Sequence, residues 1–476
     1  MNTNTEKISA KVIAAIVATG LMSFCGVIVE TSMSVTFPIL MREFSITTNH
    51  VQWMTSIYLL LVAIIVPLSA ILKSSYRTKT LFTVASLFFI GGIIIDALAP
   101  SFWLILVGRA IQGIGTGIAL PLMFNIIMEQ VPTSRIGFMM GIGNLITGVA
   151  PAIGPTFGGI VASKVNWRWV FYSLIPLLII SFVLGEWGIT QKSPIKKQQI
   201  DLFSMLMIVF MFCGFVTGFS NLGSQAFMTF SVGGALLIGI LGMGLFTWRS
   251  LTLKEPILQL RLFRNKKFSG HILGFFLTQL ISLGFAFLLP NYIQLVNGNS
   301  AMTAGLIVLP AGFVGAIFAP LGGHILDKFG TRKPILIGTS LCLIALIAFT
   351  IYWQHLTNTF IALVYILYMG GMGMCMGCVM TSALTVIGKE KQSQGNAILN
   401  TLQQFAGAIG TSLVAMIVAA SQSHLHTTRR ISTAIGTQEA FGMLTIFCII
   451  IWISYYRSVK NEICFIAVFH TLTNNL

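Results

Sequence analysis

Charge is what this sequence has least of. Asp, Glu, Lys and Arg make up 8% of its 476 residues, against roughly 25% in a soluble domain. Acids are the scarcest, 12 in all. So few charges cannot solvate the surface of a globular protein or keep a chain disordered, and both classes are excluded. The period-two alternation of a membrane β-barrel is missing. No G-x-x-x-x-G-K-[ST] stretch occurs, which argues against an ATP-driven pump. Intramembrane hydrolysis needs paired Asp, a Ser with a His or Lys base, or a His/Glu metal cluster. No span gathers such a set: His271 and His324 fall near span ends, and His355, His424 and His426 fall in loops. Neither an enzyme nor a metal site is expected. The seven cysteines include one C-x-x-C pair, Cys375 and Cys378, with no His nearby and no second pair. They read as small buried thiols.

Apolar residues fill the space, at 55% of the chain with a mean hydropathy of +0.89. A bilayer-spanning helix needs about 20 apolar residues. Runs of that kind recur at 12–39, 51–72, 80–98, 103–128, 137–162, 169–190, 201–221, 227–247, 268–293, 303–325, 335–352, 358–386, 396–420 and 438–456. The fold class is therefore an all-α polytopic membrane protein with 14 transmembrane helices. The first run is too long for a cleaved leader and lacks a small-residue cleavage site, so it reads as a retained helix. The run Cys464 to Phe469 is too short to span.

The net charge of +16 suggests nucleic acid until its distribution is read. Of the 28 Lys and Arg, only Arg42, Lys164, Arg168, Arg429 and Arg430 fall in external segments when the N-terminus is inside; Arg109 is in a span and the other 22 are cytoplasmic. This is the positive-inside bias, with both termini cytoplasmic and no nucleic-acid partner. The organisation is a six-helix half over 1–190, two extra helices and a basic loop over 191–267, a second six-helix half over 268–456 and a cytoplasmic tail over 457–476.

Ionisable groups within a span cost roughly 2.5–3.5 kcal/mol on insertion scales, so each marks a functional site by default. Asp96, Glu129, Glu186 and Glu439 lie at span ends and are expected to reach an interface. Glu30 is deep in the first span, on a stripe with Ser23, Gly26, Ser34 and Phe37 at three- and four-residue spacing; the stripe is expected to face a cavity. Arg109 shares the fourth span with Gln112 and Thr116. A buried cation either tunes a neighbouring acid or is satisfied by backbone carbonyls that fix helix packing. The fifth span carries Gly148, Pro151, Gly154, Pro155, Gly158 and Gly159. Pro bends a helix and Gly admits close backbone approach, so a kinked, tightly packed helix is expected. After the tenth span, Gly323, Asp327, Lys328, Gly330, Arg332 and Lys333 form a basic loop. Asp327 is expected to accept from a neighbouring helix N-terminus, and Gly330 to allow a tight turn, latching two helices. The corresponding first-half loop has Ser74 and Arg77 where the acid and the Gly would be.

Taken together these pieces resemble the major facilitator superfamily, specifically its fourteen-helix drug:proton antiporters. Arg109, Gln112, Gly113 and Gly115 match the family's fourth-helix motif, and residues 148–159 match its antiporter motif G-x-x-P-x-x-G-P-x-x-G-G in full. Trp167, Arg168, Trp169 and Phe171 match the start of helix six. Pro290, Tyr292, Gln294, Gly298, Gly305 and Pro310 match its ninth-helix pattern, and Asn400, Gln403, Gln404, Gly407 and Gly410 resemble its thirteenth helix. The chain departs from the pattern in carrying Glu30 where Asp is usual, and in its degenerate first-half loop. The resemblance implies two pseudo-symmetric six-helix bundles plus two inserted helices, a central cavity and alternating access.

The function implied is a proton-coupled secondary exporter of lipophilic, often cationic drugs or toxic compounds, in a bacterial plasma membrane. It would use the proton as coupling ion and no cofactor, with membrane lipids around a monomer. The alternatives are a dedicated exporter of a peptide, fatty acid or metabolite, and a non-transporting membrane receptor. The expected coupling site is Glu30, Arg109, Gln112, Ser34 and Phe37.

Overall fold

The computed structural model describes residues 8–46, 48–196, 199, 201–221, 227–352, 356–424 and 428–459. These are almost wholly helical and contain no strand. The α-helices run α1 (Ala10–Glu43), α2 (Thr48–Ile65), α3 (Ser69–Ser75), α4 (Thr78–Leu98), α5 (Phe102–Gln130), α6 (Ile136–Lys164), α7 (Arg168–Tyr172) and α8 (Ile175–Gly188). They continue as α9 (Leu202–Asn221), α10 (Ala235–Thr252), α11 (Lys266–Leu295), α12 (Ala301–Phe329), α13 (Arg332–Ile351), α14 (Asn358–Val386), α15 (Gln392–His424) and α16 (Arg429–Val459).

Thirteen helices among the described residues are long and apolar enough to cross a membrane, and the bent helix through Thr133–Pro151 and Thr156–Ala162 makes a fourteenth. Each of the fourteen apolar runs in the sequence corresponds to one of them. Local chemistry sets their ends. Ser9, Asn265, Ser300 and Thr357 accept backbone N–H groups in the first turns of α1, α11, α12 and α14, which satisfies donors that the helix leaves orphaned. Besides the bent α6, two spans carry a local interruption of the α-helix. Pro67 sits in a 3₁₀ turn, Val66–Leu68, between α2 and α3, and α7 gives way to α8 just before Pro176. Proline cannot donate to the preceding turn, so the helix tightens or restarts there.

The chain divides into two compact units. One comprises the chain up to Pro132, Ile146–Leu260 and Asn396–Phe405; the other comprises Thr133–Leu145, Arg261–Gly395 and the chain from Ala406 onward. Helix α6 therefore contributes its start to the second unit and the remainder to the first. In the first unit, α5 packs against α1, α2 and α4, and α1 also packs on α8. Its core holds Tyr58, Val62, Phe82, Phe89 and Trp167. In the second, α14 packs against α12 and α13, and α16 against α11 and α13. There Phe285 lies among Phe349, Tyr365, Tyr368 and Phe441. Outward-facing Leu, Ile, Phe and Trp side chains are numerous, as a hydrocarbon solvent permits.

The inserted pair α9 and α10 belongs to the first unit. The two helices approach closely at Gly214 and Gly239. At one end Arg249 donates to both oxygens of Asp201, at 3.0 and 3.2 Å. Helix α9 packs on α2, and Phe212 and Phe215 meet Phe405 edge to face. Leu237, Ile240, Leu241, Leu245 and Trp248 of α10 face outward.

Candidate functional site

Helix α5 sets the site's geometry through the spacing of its motif. Gly113 lies against the Tyr58 carbonyl of α2, and Gly115 lies against the Ala85 carbonyl of α4. A side chain at either position would hold those helices away. The close approach brings Arg109 fully into the interior, with no exposed surface. Its Nε donates to the Met54 carbonyl at 3.1 Å, its guanidinium covers the Tyr58 ring at 4.2 Å, and Nη1 donates to Gln112 Oε1 at 2.8 Å. A backbone carbonyl satisfies one edge of the cation and Gln112 meets another, with two acids close enough to interact with it electrostatically.

Those acids are Asp96 and Glu30. Gln112 Nε2 donates to Asp96 Oδ2 at 2.7 Å, so one amide links Arg109 to Asp96. Arginine can only donate, so the Gln112 oxygen must face it and the Gln112 NH2 must face the carboxylate. Asp96 does not reach an interface as expected from its place near a span end; it is fully buried. The reason is the short turn Ala99–Ser101, which folds α5 back directly on α4 so that Gly108 lies against the carboxylate. Glu129 and Glu186 are partly exposed and paired with Lys73 and Lys79 at 3.0 and 3.2 Å, and Glu439 is exposed.

Glu30 lies inside α1 and is partly exposed. It interacts electrostatically with Arg109 and Tyr58. The α1 stripe does not face a single open space. Ser23 is buried and turns its hydroxyl back onto Thr19 O. Gly26 is packed so tightly that an added methyl would stand 2.9 Å from the Tyr58 hydroxyl. That hydroxyl donates to Thr116 Oγ1 at 3.1 Å. Only from Glu30 to Phe37 does the stripe open in part, while the Ser34 side chain lies outside the described residues.

The antiporter motif is a packed bend. Helix α6 turns by 42° between Pro151 and Thr156, where Pro155 removes a backbone donor. Gly154 and Gly158 lie one turn apart and meet α1: Ser32 Oγ donates to Gly154 O at 2.7 Å, and an added Cβ at Gly158 would stand 2.6 Å from Ser32 O. Gly148 and Pro151 face away from this contact, Gly148 with open space around it and Pro151 exposed. Gly159 is half-buried, and the Pro155 side chain lies outside the described residues.

At the start of α6, Asp327 Oδ1 and Oδ2 accept from Gly137 N and Phe138 N at 2.9 and 2.8 Å. These are orphan donors of a first turn, so α12 caps α6 with a carboxylate. Gly323 allows the approach by lying against the Gly137 carbonyl, and Gly330 ends α12 with φ +82°. The loop cations do not join this contact: Lys328 and Lys333 sit over the Phe329 ring and Arg332 over Tyr456. In the first-half loop, buried Lys73 pairs with Glu129 instead, and Ser193 adds a hydrogen bond to that carboxylate.

Two further constellations give the remaining motifs a structure. Glu43 accepts from Trp167 Nε1 at 2.6 Å and from Arg168 Nη1 at 2.8 Å, while Arg168 Nη2 donates to Ala99 O at 3.0 Å. Asn396 of α15 donates to Pro121 O and Asn125 Oδ1, and Asn400 donates back to Asn396. Sequence reading passed over Asn125, Asn396 and the Asp96 link. The available signals were buried Asn residues one turn apart, and Gly108 and Gln112 one turn apart on α5. Among the described residues no group of three or more His, Cys, Asp or Glu is placed to hold a metal.

The Major Facilitator Superfamily profile matches residues 19–411. The chain is 36% identical over 414 residues to the lincomycin resistance protein LmrB of Bacillus subtilis, covering 87% of this chain and 86% of that protein. It is 33% identical over 431 residues to the LmrB of Listeria innocua, covering 90% and 91%. A multidrug resistance protein B homolog of Mycobacterium tuberculosis is 26% identical over 404 residues, covering 83% and 74%. The crystal structure of the human organic anion transporter MFSD10 (TETRAN) superposes with a TM-score of 0.63 at 12% identity, over 93% of this chain and 99% of that one, which shows the fold alone. The chain is a multi-pass membrane transporter and belongs to the Major Facilitator Superfamily.

Proposed function

We propose that the chain exports lipophilic, often cationic drugs in exchange for protons, with Glu30 as the coupling carboxyl. The observation that carries this reading is the setting of Glu30: a partly exposed acid inside a membrane-spanning helix, in the field of the buried Arg109. A proton on Glu30 and a cationic substrate beside it are mutually exclusive, which is what exchange requires. The resistance names of the LmrB and multidrug resistance relatives support drug export. The driving force would be about 2.3 kcal/mol per charge per 100 mV of membrane potential, with about 1.4 kcal/mol more per pH unit. The same reading sets a monomer in a bacterial plasma membrane, both termini cytoplasmic, surrounded by lipid and needing no cofactor. Phe37 would line the substrate path beside Glu30.

The test pairs two measurements. A susceptibility panel over diverse toxic compounds, with and without expression, identifies substrates; protection against a single endogenous-type metabolite alone would favour a dedicated exporter. Addition of such a substrate to the purified protein is then expected to release protons, and Glu30→Gln is expected to abolish the release. Wild-type release from Glu30→Gln would place the coupling group elsewhere.

A further inference from the structure

Three charged side chains of the first unit interact with one another: Glu30 on α1, Asp96 on α4 and Arg109 on α5. They comprise two acids and one base. Asp96 and Arg109 are wholly buried, and they are joined through Gln112 by hydrogen bonds of 2.7 and 2.8 Å. Asp96 Oδ1 and Arg109 Nη2 make no hydrogen bond among the described residues. Asp96 and Arg109 also interact through their charges, and Arg109 interacts with Tyr58 and Glu30 as well. A second uncompensated charge in a membrane interior is costly. One guanidinium can balance one carboxylate, so one of the two acids must carry a proton whenever no cation is bound.

Geometry decides which acid is which. Asp96 is sealed beneath Gly108 and Gln112 and bonded to an amide NH2, a donor that suits an ionised oxygen. Glu30 is the acid with an exposed face. We propose that Asp96 is a positioning residue for proton coupling: held ionised through Gln112, it neutralises Arg109 and so leaves Glu30 able to bind and release a proton. This rests on the reading of Glu30 as the coupling carboxyl.

Several other ionisable groups on the helices packed around these acids are paired elsewhere, while Arg42, His50 and Lys164 stand at or near the ends of α1, α2 and α6. On α7, Arg168 is paired with Glu43, and Tyr172 donates to Ala97 O. On α8, Glu186 is paired with Lys79, and on α3, Lys73 is paired with Glu129. On α2, Tyr58 donates to Thr116 beneath the Arg109 guanidinium. Arg109 is a charged group that interacts with both Glu30 and Asp96.

The sign of the effect follows. Removing the Asp96 charge leaves Arg109 bare, and a bare cation favours ionised Glu30. Asp96→Asn is therefore expected to move the Glu30 titration toward acid by about one pH unit, a tenfold loss of proton affinity. Gln112→Glu places a second carboxylate directly on Arg109 and is expected to move it toward alkali. Combining the two substitutions relocates the acid and is expected to restore the wild-type midpoint.

The experiment is an infrared pH titration of the purified full-length protein in lipid, without substrate. The Glu30 carboxylic C=O band is isolated by subtracting, in each background, the spectrum of the Glu30→Gln counterpart. The two predicted shifts and the restored midpoint of the double variant support the proposal. An unmoved midpoint in Asp96→Asn marks Asp96 as merely structural and overturns it, as does a shift toward alkali. Loss of a second titrating band with no shift in the first also overturns it, because Asp96 would then carry its own proton. Should Asp96→Asn not fold, the Gln112→Glu midpoint decides alone, and no alkaline shift there overturns the proposal. Because the band reports Glu30 directly, failure of substrate-induced proton release would refute the exchange reading without being confused with failure of this one.

Discussion

Ser32 of α1 donates its hydroxyl to the Gly154 carbonyl of α6 at 2.7 Å. The two backbones are so close there that a Cβ on Gly154 would collide with Thr31 Oγ1. The contact lies beside the 42° bend of α6 and two residues along α1 from Glu30, so the packing of the Gly/Pro motif bears on the placing of that carboxyl. Gly154→Leu inserts four carbons where not even one fits, and overpacking of this kind costs about 1–3 kcal/mol or more. Membrane levels are expected to stay near wild type while export is lost. Ser32→Ala removes one hydrogen bond of about 1 kcal/mol and is expected to lower export only modestly. Full export by Gly154→Leu, normalised to protein in the membrane, would show that close packing is not needed.

Asp327 caps the start of α6 with both carboxylate oxygens. In Asp327→Asn one acceptor becomes an NH2 group facing an N–H donor, which costs about 1–3 kcal/mol at this contact. The protein is expected to fold and insert but to turn over several-fold more slowly, since the helix junction held by the carboxylate loses its preferred arrangement. Proteoliposomes reporting wild-type turnover for the mutant would remove the latch from the mechanism. Lys328→Ala and Lys333→Ala are expected to have little effect, because both cations sit over Phe329 rather than on the carboxylate.

How much of this was legible in the sequence depends on which force sets each feature. The fourteen spans were legible because the bilayer imposes a length and a composition on every one. Gly154 and Pro155 announced the bend because each acts on its own backbone. Asp96 was misread because distance to a span end is a poor guide to burial: what covers it is Gly108, brought over by a three-residue turn. The α1 stripe was read as one face by periodicity, yet Tyr58 closes it at Gly26 and releases it only at Glu30. Partners on other helices decide such cases, and no local pattern names them. The breaks at Pro67 and before Pro176 also passed unnoticed inside runs of continuous hydropathy.

The Asp201–Arg249 pair predicts a pH dependence for the inserted helices. The hydrogen bonds from Arg249, above all, hold the Asp201 carboxyl below its usual value, at about 2. A carboxyl whose folded value is depressed contributes stability that is complete above its unfolded value near 4 and is lost as pH falls through its folded one. Wild-type thermal stability should therefore fall between about pH 4 and 2 by more than that of Asp201→Asn. Near neutral pH the two should differ by no more than about 0.2–1 kcal/mol, because the pair is partly exposed to solvent. Parallel melting curves for both proteins across that acid window would rule out a contribution from the pair.

The last prediction concerns charge selectivity. Glu30 is partly exposed, whereas Asp96 has no accessible surface and lies behind Gln112. On the proposed reading a cationic substrate would meet Glu30 and not Asp96. Within a series of compounds sharing a scaffold, monovalent cations are expected to be exported and their divalent counterparts poorly, because the second positive charge would enter a membrane interior uncompensated. Glu30→Asp keeps the charge on a shorter stem. It is expected to retain monovalent export with a higher KM, whereas Glu30→Gln is expected to lose cation export and to spare neutral compounds in part. Uptake into inverted vesicles with matched monovalent, divalent and neutral substrates separates these outcomes. Equal export of the mono- and divalent members by the wild type would mean that a second acid reaches the substrate. Cation export by Glu30→Gln at wild-type rates would mean that the charge on this carboxyl does not select the substrate at all.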